Sequence, residues 1–200
     1  MMINGMTDSR TIKSALISVY HKEGLDEIIR ILAKMNVTIF STGGTLTYIR
    51  SLGVEAMSVE EITSYPSILG GRVKTLHPKI FGGILSRRDT EDDSVQLARY
   101  EIPEIDLVIV DLYPFEETVA SGVGEKEIIE KIDIGGVSLI RAAAKNFHDV
   151  LIIPSRNHYS RLFELLNKKN GITGEDDRKH LAVEAFGISS QYDRAIFNYF

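Results

Sequence analysis

Leu107-Val108-Ile109-Val110-Asp111-Leu112 is apolar on successive residues rather than on alternate ones. A strand with that pattern is buried on both faces, as in a parallel sheet covered by helices on each side. Val150-Leu151-Ile152-Ile153-Pro154 repeats it. Working outward, β-branched runs at Ser14–Tyr20, Val37–Ser41 and Glu55–Val59 predict three further strands, alternating with helical periodicity. Leu25, Ile28, Ile29, Leu32 and Met35 fall on one face of the first helix, and Leu46, Ile49 and Leu52 turn inward from the second, which Gly53 closes. Later helices are predicted at about residues 92–100, 125–132, 137–146, 158–169 and 176–190. The polar stretch Lys168–Lys179 reads as a turn between surface helices. One layered α/β domain accounts for the pattern.

Composition narrows the chemistry. The 200 residues are 44% hydrophobic and 26% charged, with five prolines and a mean hydropathy of −0.02, so the chain folds around a real core. It has no cysteine, which removes disulfides, thiolate metal sites and a thiol nucleophile and fits a reducing cytoplasm. Histidines at 21, 77, 148, 158 and 180 never stand four apart, so a helical zinc motif is absent. The net charge of −5 argues against a general nucleic-acid binder. The start, MMINGMTDSR, has no apolar core of a signal peptide, and no apolar run approaches the ~20 residues of a membrane span. The chain therefore reads as soluble and untargeted, with residues 1–10 a tail and 11–200 the domain.

Open parallel sheets bind ligands beyond the carboxyl ends of their strands, and polar residues gather there. Tyr20-His21-Lys22 follows the first strand and Ser41-Thr42-Gly43-Gly44-Thr45 the second. Two glycines bring the backbone close to a ligand, and the helix that follows offers free N–H groups and a positive dipole end to an anion. The alternative is that Thr45 simply caps the helix. The loop is neither a Walker A motif nor a dinucleotide fingerprint, and a single phosphate fits it better. In Leu69–Lys79, LGGRVKTLHPK, the cations Arg72 and Lys74 would form with Lys22 a focused positive cleft for an anionic substrate. Asp133 and Gly135 in IDIGG, Lys145 at the end of the next helix, and Tyr113 in DLYPF complete the group of candidates. Each has a structural alternative: a turn residue, a cation at a helix end, an aromatic cover.

Together SVYHKEGL, STGGT, GGRVKTLHPKIFGGIL, DLYPF, IDIGGVSLIRAAAKN and QYDRAIFNYF resemble the inosine monophosphate (IMP) cyclohydrolase domain of the bifunctional AICAR transformylase/IMP cyclohydrolase family. The resemblance covers nearly the whole chain. It implies a methylglyoxal-synthase-like fold, a three-layer sandwich around a five-stranded parallel sheet, and a cytoplasmic homodimer. It also implies cofactor- and metal-free closure of formyl-AICAR to IMP with loss of water. By position it puts the phosphate on Ser41–Thr45, with Ser18 and Lys22 also lining the site. It implies a catalytic group of Lys74, Tyr113, Asp133 and Lys145, with Arg72, Thr75 and Gly135 beside it. A transformylase domain using 10-formyltetrahydrofolate would lie outside this chain.

The implied chemistry suits these residue types. Lys74, assisted by Tyr113, stabilises the developing oxyanion, where one positioned donor supplies roughly 2.7–4 kcal/mol. Asp133 draws the proton from the weakly nucleophilic amide, and Lys145 orients Asp133 or protonates the leaving hydroxyl. The chain departs from the family pattern at His21, Glu23 and Asp111, and a carboxylate at 111 puts negative charge near the cleft unless it is paired. A methylglyoxal synthase would leave RVKTLHP unexplained. A phosphate-binding regulatory module would need the glycine loop but not Lys74, Asp133 and Lys145 together.

Overall fold

The computed structural model describes residues 8–200. In chain order it contains β1 (Arg10–Thr11), β2 (Ser14–Val19), α1 (Leu25–Lys34), β3 (Thr38–Ser41), α2 (Gly43–Ser51), β4 (Met57–Ser58), α3 (Val59–Thr63), α4 (Pro78–Leu85) and α5 (Glu91–Arg99). There follow β5 (Leu107–Asp111), α6 (Phe115–Ala120), α7 (Glu125–Glu130), α8 (Gly135–Lys145), β6 (Leu151–Ile153), α9 (Tyr159–Lys168), β7 (Ile172–Thr173) and α10 (Glu175–Tyr199).

Five strands form one parallel sheet in the order β4-β3-β2-β5-β6, the architecture that the doubly buried runs predict. Leu107, Val108 and Ile109 in β5 are wholly buried, as are Ile152 and Ile153 in β6. Each such side chain withdraws enough apolar area to stabilise the fold by about 1.5–3 kcal/mol. In α1 the spacing puts Leu25, Ile28, Ile29 and Leu32 inside, while Asp26 and Glu27 in its first turn and Lys34 in its last complement the helix dipole. From β2 the chain crosses one way to β3 and β4. From β5 it crosses the other way to β6. Right-handed crossovers in opposite directions put their helices on opposite faces. α1 packs with α9 on one side, and α8 with α4 and α10 on the other. The reversal leaves a crevice at the carboxyl ends of β2 and β5.

Three expectations are corrected. Arg10 is no tail residue: it belongs to β1, which pairs antiparallel with β7, while residues 1–7 lie outside the described part. The stretch 168–179 is no solvated turn. It contains β7 and the start of α10, and Arg178 is fully buried because its guanidinium donates to the carbonyls of Asp8, Phe147, His148 and Thr173. α10 runs on to Tyr199, well past residue 190. Among the described residues no helix is long and apolar enough to cross a membrane.

Candidate active site

The crevice opens into a cleft of about 670 Å³, within the range of small-molecule sites. Its walls are the carboxyl ends of β2, β3 and β5, the loop carrying Gly71–Thr75, and the segment from Ile129 through the start of α8.

One end is built to receive an anion. α2 begins at Gly43 with no side-chain cap and no acidic residue in its first turn, whereas α5 and α10 open on three carboxylates each. The bare N–H groups of α2 and its dipole therefore face the cleft unopposed. Ser18 Oγ and Thr42 Oγ1 lie 2.9 Å apart. Two hydroxyls sharing one hydrogen bond keep one proton free for a ligand. Lys22 Nζ donates to the carbonyls of Val19 and Tyr20, at 2.6 and 2.7 Å, and among the described residues its third proton has no acceptor. Burial holds its pKa below that of an ordinary lysine.

Two members of the predicted phosphate loop are committed elsewhere. Ser41 is wholly buried and its Oγ donates to the Ile17 carbonyl, tying β3 to β2. Thr45 gives its hydroxyl proton to the Val19 carbonyl and accepts the Val19 N–H, so it has no proton for an anion. The expected cluster of free cations also changes. Arg72 points to the rim and is paired in a fork with Glu130 at the end of α7. Asp111, the flagged departure, accepts both the side chain and the backbone N–H of His21.

The opposite end holds the acid–base groups. Lys74 Nζ lies between Gly43 and Gly71, where a Cβ at either would be 4.0 or 3.9 Å from the ammonium; both glycines have positive φ, +41° and +91°. Asp133 precedes α8, and its Oδ1 accepts the Gly136 N–H at 2.6 Å. It is therefore a helix-terminal anchor as well as a cleft carboxylate. Burial raises its pKa above the usual carboxylate value, against the opposing effects of the Gly136 N–H, the Lys74 charge and the Tyr113 N–H. Burial, helped by Asp133 and Tyr20, also raises the Tyr113 pKa, so that hydroxyl stays a donor. Thr75 and Gly135 face each other here: a Cβ on Gly135 would be 3.0 Å from Thr75 Oγ1.

Lys145 is not brought to the cleft. It is exposed at the far end of α8, whose 11 residues separate it from Gly135 by about 15 Å. Sequence reasoning gave no role to three neighbours of the site. Tyr20 lines the cleft with its ring edge-on to Tyr113 at 5.3 Å. Lys131 Nζ sits over both rings, 5.6 and 5.4 Å from their centroids, a favourable placement for a cation. Tyr192 hydrogen-bonds the backbone on both sides of Ile132. Position next to IDIGG was the only linear signal for Lys131; Tyr192 lay in a terminal motif with no assigned task. Among the described residues no group of three or more His, Asp or Glu side chains could hold a metal ion.

Comparison with known proteins places these features. The family described as MGS-like domain matches residues 24–138, and the family described as AICARFT/IMPCHase bienzyme matches residues 143–200. The chain is 63% identical over 195 residues to the bifunctional purine biosynthesis protein PurH of Bacteroides thetaiotaomicron, covering 98% of this chain and 38% of that protein. It is 48% identical to the protein of the same name from Chlorobium phaeobacteroides, over 94% of this chain and 36% of the relative. It thus spans under two fifths of these relatives' length. The crystal structure of ForH superposes with a TM-score of 0.76 at 34% identity, covering 92% of this chain and 96% of the other.

Proposed function

From the premise that this chain belongs to the MGS-like domain family, we propose that it closes formyl-AICAR to IMP with loss of water. The observation that carries this reading is convergence: Lys74, Tyr113 and Asp133 share one cleft whose other end is the uncapped start of α2. The substrate's phosphate sits on the Gly43 and Gly44 N–H groups, with the Ser18–Thr42 hydroxyl pair and Lys22 around it.

The carboxamide nitrogen then attacks the formyl carbon of the same molecule. Lys74 and the neutral Tyr113 hydroxyl donate to the formyl oxygen as it gains negative charge. Asp133 accepts the amide proton, and its raised pKa suits it to hold that proton. Lys74 gives a proton to the oxyanion, making the carbinol, and recovers one from the formamide N–H as the C=N bond forms; the proton held by Asp133 returns to the carbinol hydroxyl, which leaves as water. This return replaces the acid role expected of Lys145. No cofactor or metal takes part. The working form is a cytoplasmic homodimer, and any folate-dependent transfer of the formyl group lies outside these 200 residues.

Lys74→Ala and Asp133→Ala test the reading. Each lowers the rate of formyl-AICAR cyclisation by about 10²–10³-fold. Near-wild-type rates in both variants would sink it.

A further inference from the structure

The terminal motif Gln191–Phe200 has no part in the chemistry above, yet one of its side chains reaches the site. Lys131–Ile134, the connection between α7 and α8, has no regular structure of its own, and it must hold the Asp133 carboxyl against the substrate. The Tyr192 hydroxyl accepts the Asp133 N–H at 2.8 Å and donates to the Lys131 carbonyl at 2.9 Å. One proton and one lone pair thus clamp the connection at two residues. The Tyr192 ring is fixed in turn, edge-on to Phe115 at 6.2 Å, and Phe115 is only 2% exposed.

We propose that Tyr192 is a positioning residue for the cyclisation: from α10 its hydroxyl sets the backbone of Lys131–Asp133, and through it the direction of the Asp133 carboxyl and the place of the Lys131 ammonium over Tyr113. The inference rests on the proposed function. Asp133 is held from two sides, its backbone by Tyr192 and its carboxyl by the Gly136 N–H. Without the hydroxyl, the Asp133 N–H and the Lys131 carbonyl lose their partner and the connection is free to turn. Burial pushes the Tyr192 pKa up to about 12, so the hydroxyl keeps its proton across the working range.

The test compares Tyr192→Phe with Tyr199→Phe, the same change on the same helix, made at a ring that also packs on Phe115, 5.8 Å away. Tyr192→Phe lowers kcat by about 10–100-fold, the scale of an ångström-sized misplacement, with KM within about threefold of wild type. Tyr199→Phe leaves both unchanged. A wild-type kcat in Tyr192→Phe overturns the proposal, as does a parallel loss of kcat and thermal stability in both variants. Should Tyr192→Phe not fold, amide exchange in the wild-type protein decides. An Asp133 amide that exchanges much more slowly than that of its neighbour Ile134 supports the clamp, and equal rates overturn it. A folded wild-type protein that cyclises nothing contradicts the proposed function, whereas cyclisation that Tyr192→Phe leaves intact contradicts this inference alone.

Discussion

Nδ1 of His21 lies 2.6 Å from Oδ2 of Asp111, which also accepts the His21 backbone N–H at 2.9 Å. β2 and β5 are neighbours with Val19 opposite Asp111, so the pair joins the two strand ends that open the cleft. The carboxylate that seemed out of place beside an anion site is thereby occupied. Without the imidazole, a largely buried charge keeps only the backbone N–H at position 21, which costs about 1–3 kcal/mol, and it repels the phosphate. His21→Ala therefore raises KM about tenfold. Adding Asp111→Asn restores it to within about threefold, as steady-state kinetics on the three proteins will show.

Asp133 makes opposite demands on rate and stability. Its raised pKa means that the folded state binds its proton more tightly than the unfolded state does. Stability from this group is therefore present below the unfolded value and lost as pH rises through the folded one. At neutral pH the buried charge is a liability that Asp133→Asn removes. The variant gains melting temperature over wild type at pH 7, gains less at pH 3, and loses kcat by about 10²–10⁴-fold. Thermal melts at the two pH values check the sign. In the wild type the acid limb of the rate profile lies above the range of an ordinary aspartate.

Two glycine substitutions separate site from scaffold. A Cβ on Gly136 would lie 2.4 Å from Asp133 Oδ2 and 2.9 Å from Leu112 Cδ2, so Gly136→Ala displaces the carboxyl and lowers kcat by about 10²-fold. Gly187, in the middle of α10, has nothing within 4 Å of its Cβ direction. Gly187→Ala stabilises the protein by about 0.5–1 kcal/mol with kcat unchanged. Chemical denaturation and kinetics on both read the contrast.

Arg178 joins three stretches of chain, at Asp8, Phe147–His148 and Thr173, through four carbonyls that no other side chain among the described residues reaches. Arg178→Ala leaves those acceptors and a large void buried, at a cost of roughly 3–5 kcal/mol. Urea denaturation would show it as a lower midpoint with cleft chemistry intact in the folded fraction.

The sheet was legible because successive apolar residues in Leu107–Leu112 and Val150–Pro154 have one physical meaning, burial on both faces. The turn from β3 into α2 was legible for a similar reason: two glycines between an apolar run and a helical one let the backbone turn sharply. Arg178 was not, since a charged residue in a polar stretch looks solvated until the carbonyls of distant segments surround it. Ser41 and Thr45 looked like phosphate donors because composition does not say where a hydroxyl proton goes; the neighbouring strand takes both. Lys145 shows a reading that helix geometry overrides. An unbroken helix carries the chain from the cleft to the opposite end of the sheet, and motif membership does not shorten it.

We propose that this chain, without a transformylase domain, closes the purine ring in the cleft at the carboxyl ends of β2, β3 and β5. The most direct test adds formyl-AICAR to the purified protein and follows the ultraviolet change to IMP, with no metal or folate present. The account predicts turnover far above the uncatalysed rate. A correctly folded protein that gives no rate above background would contradict it.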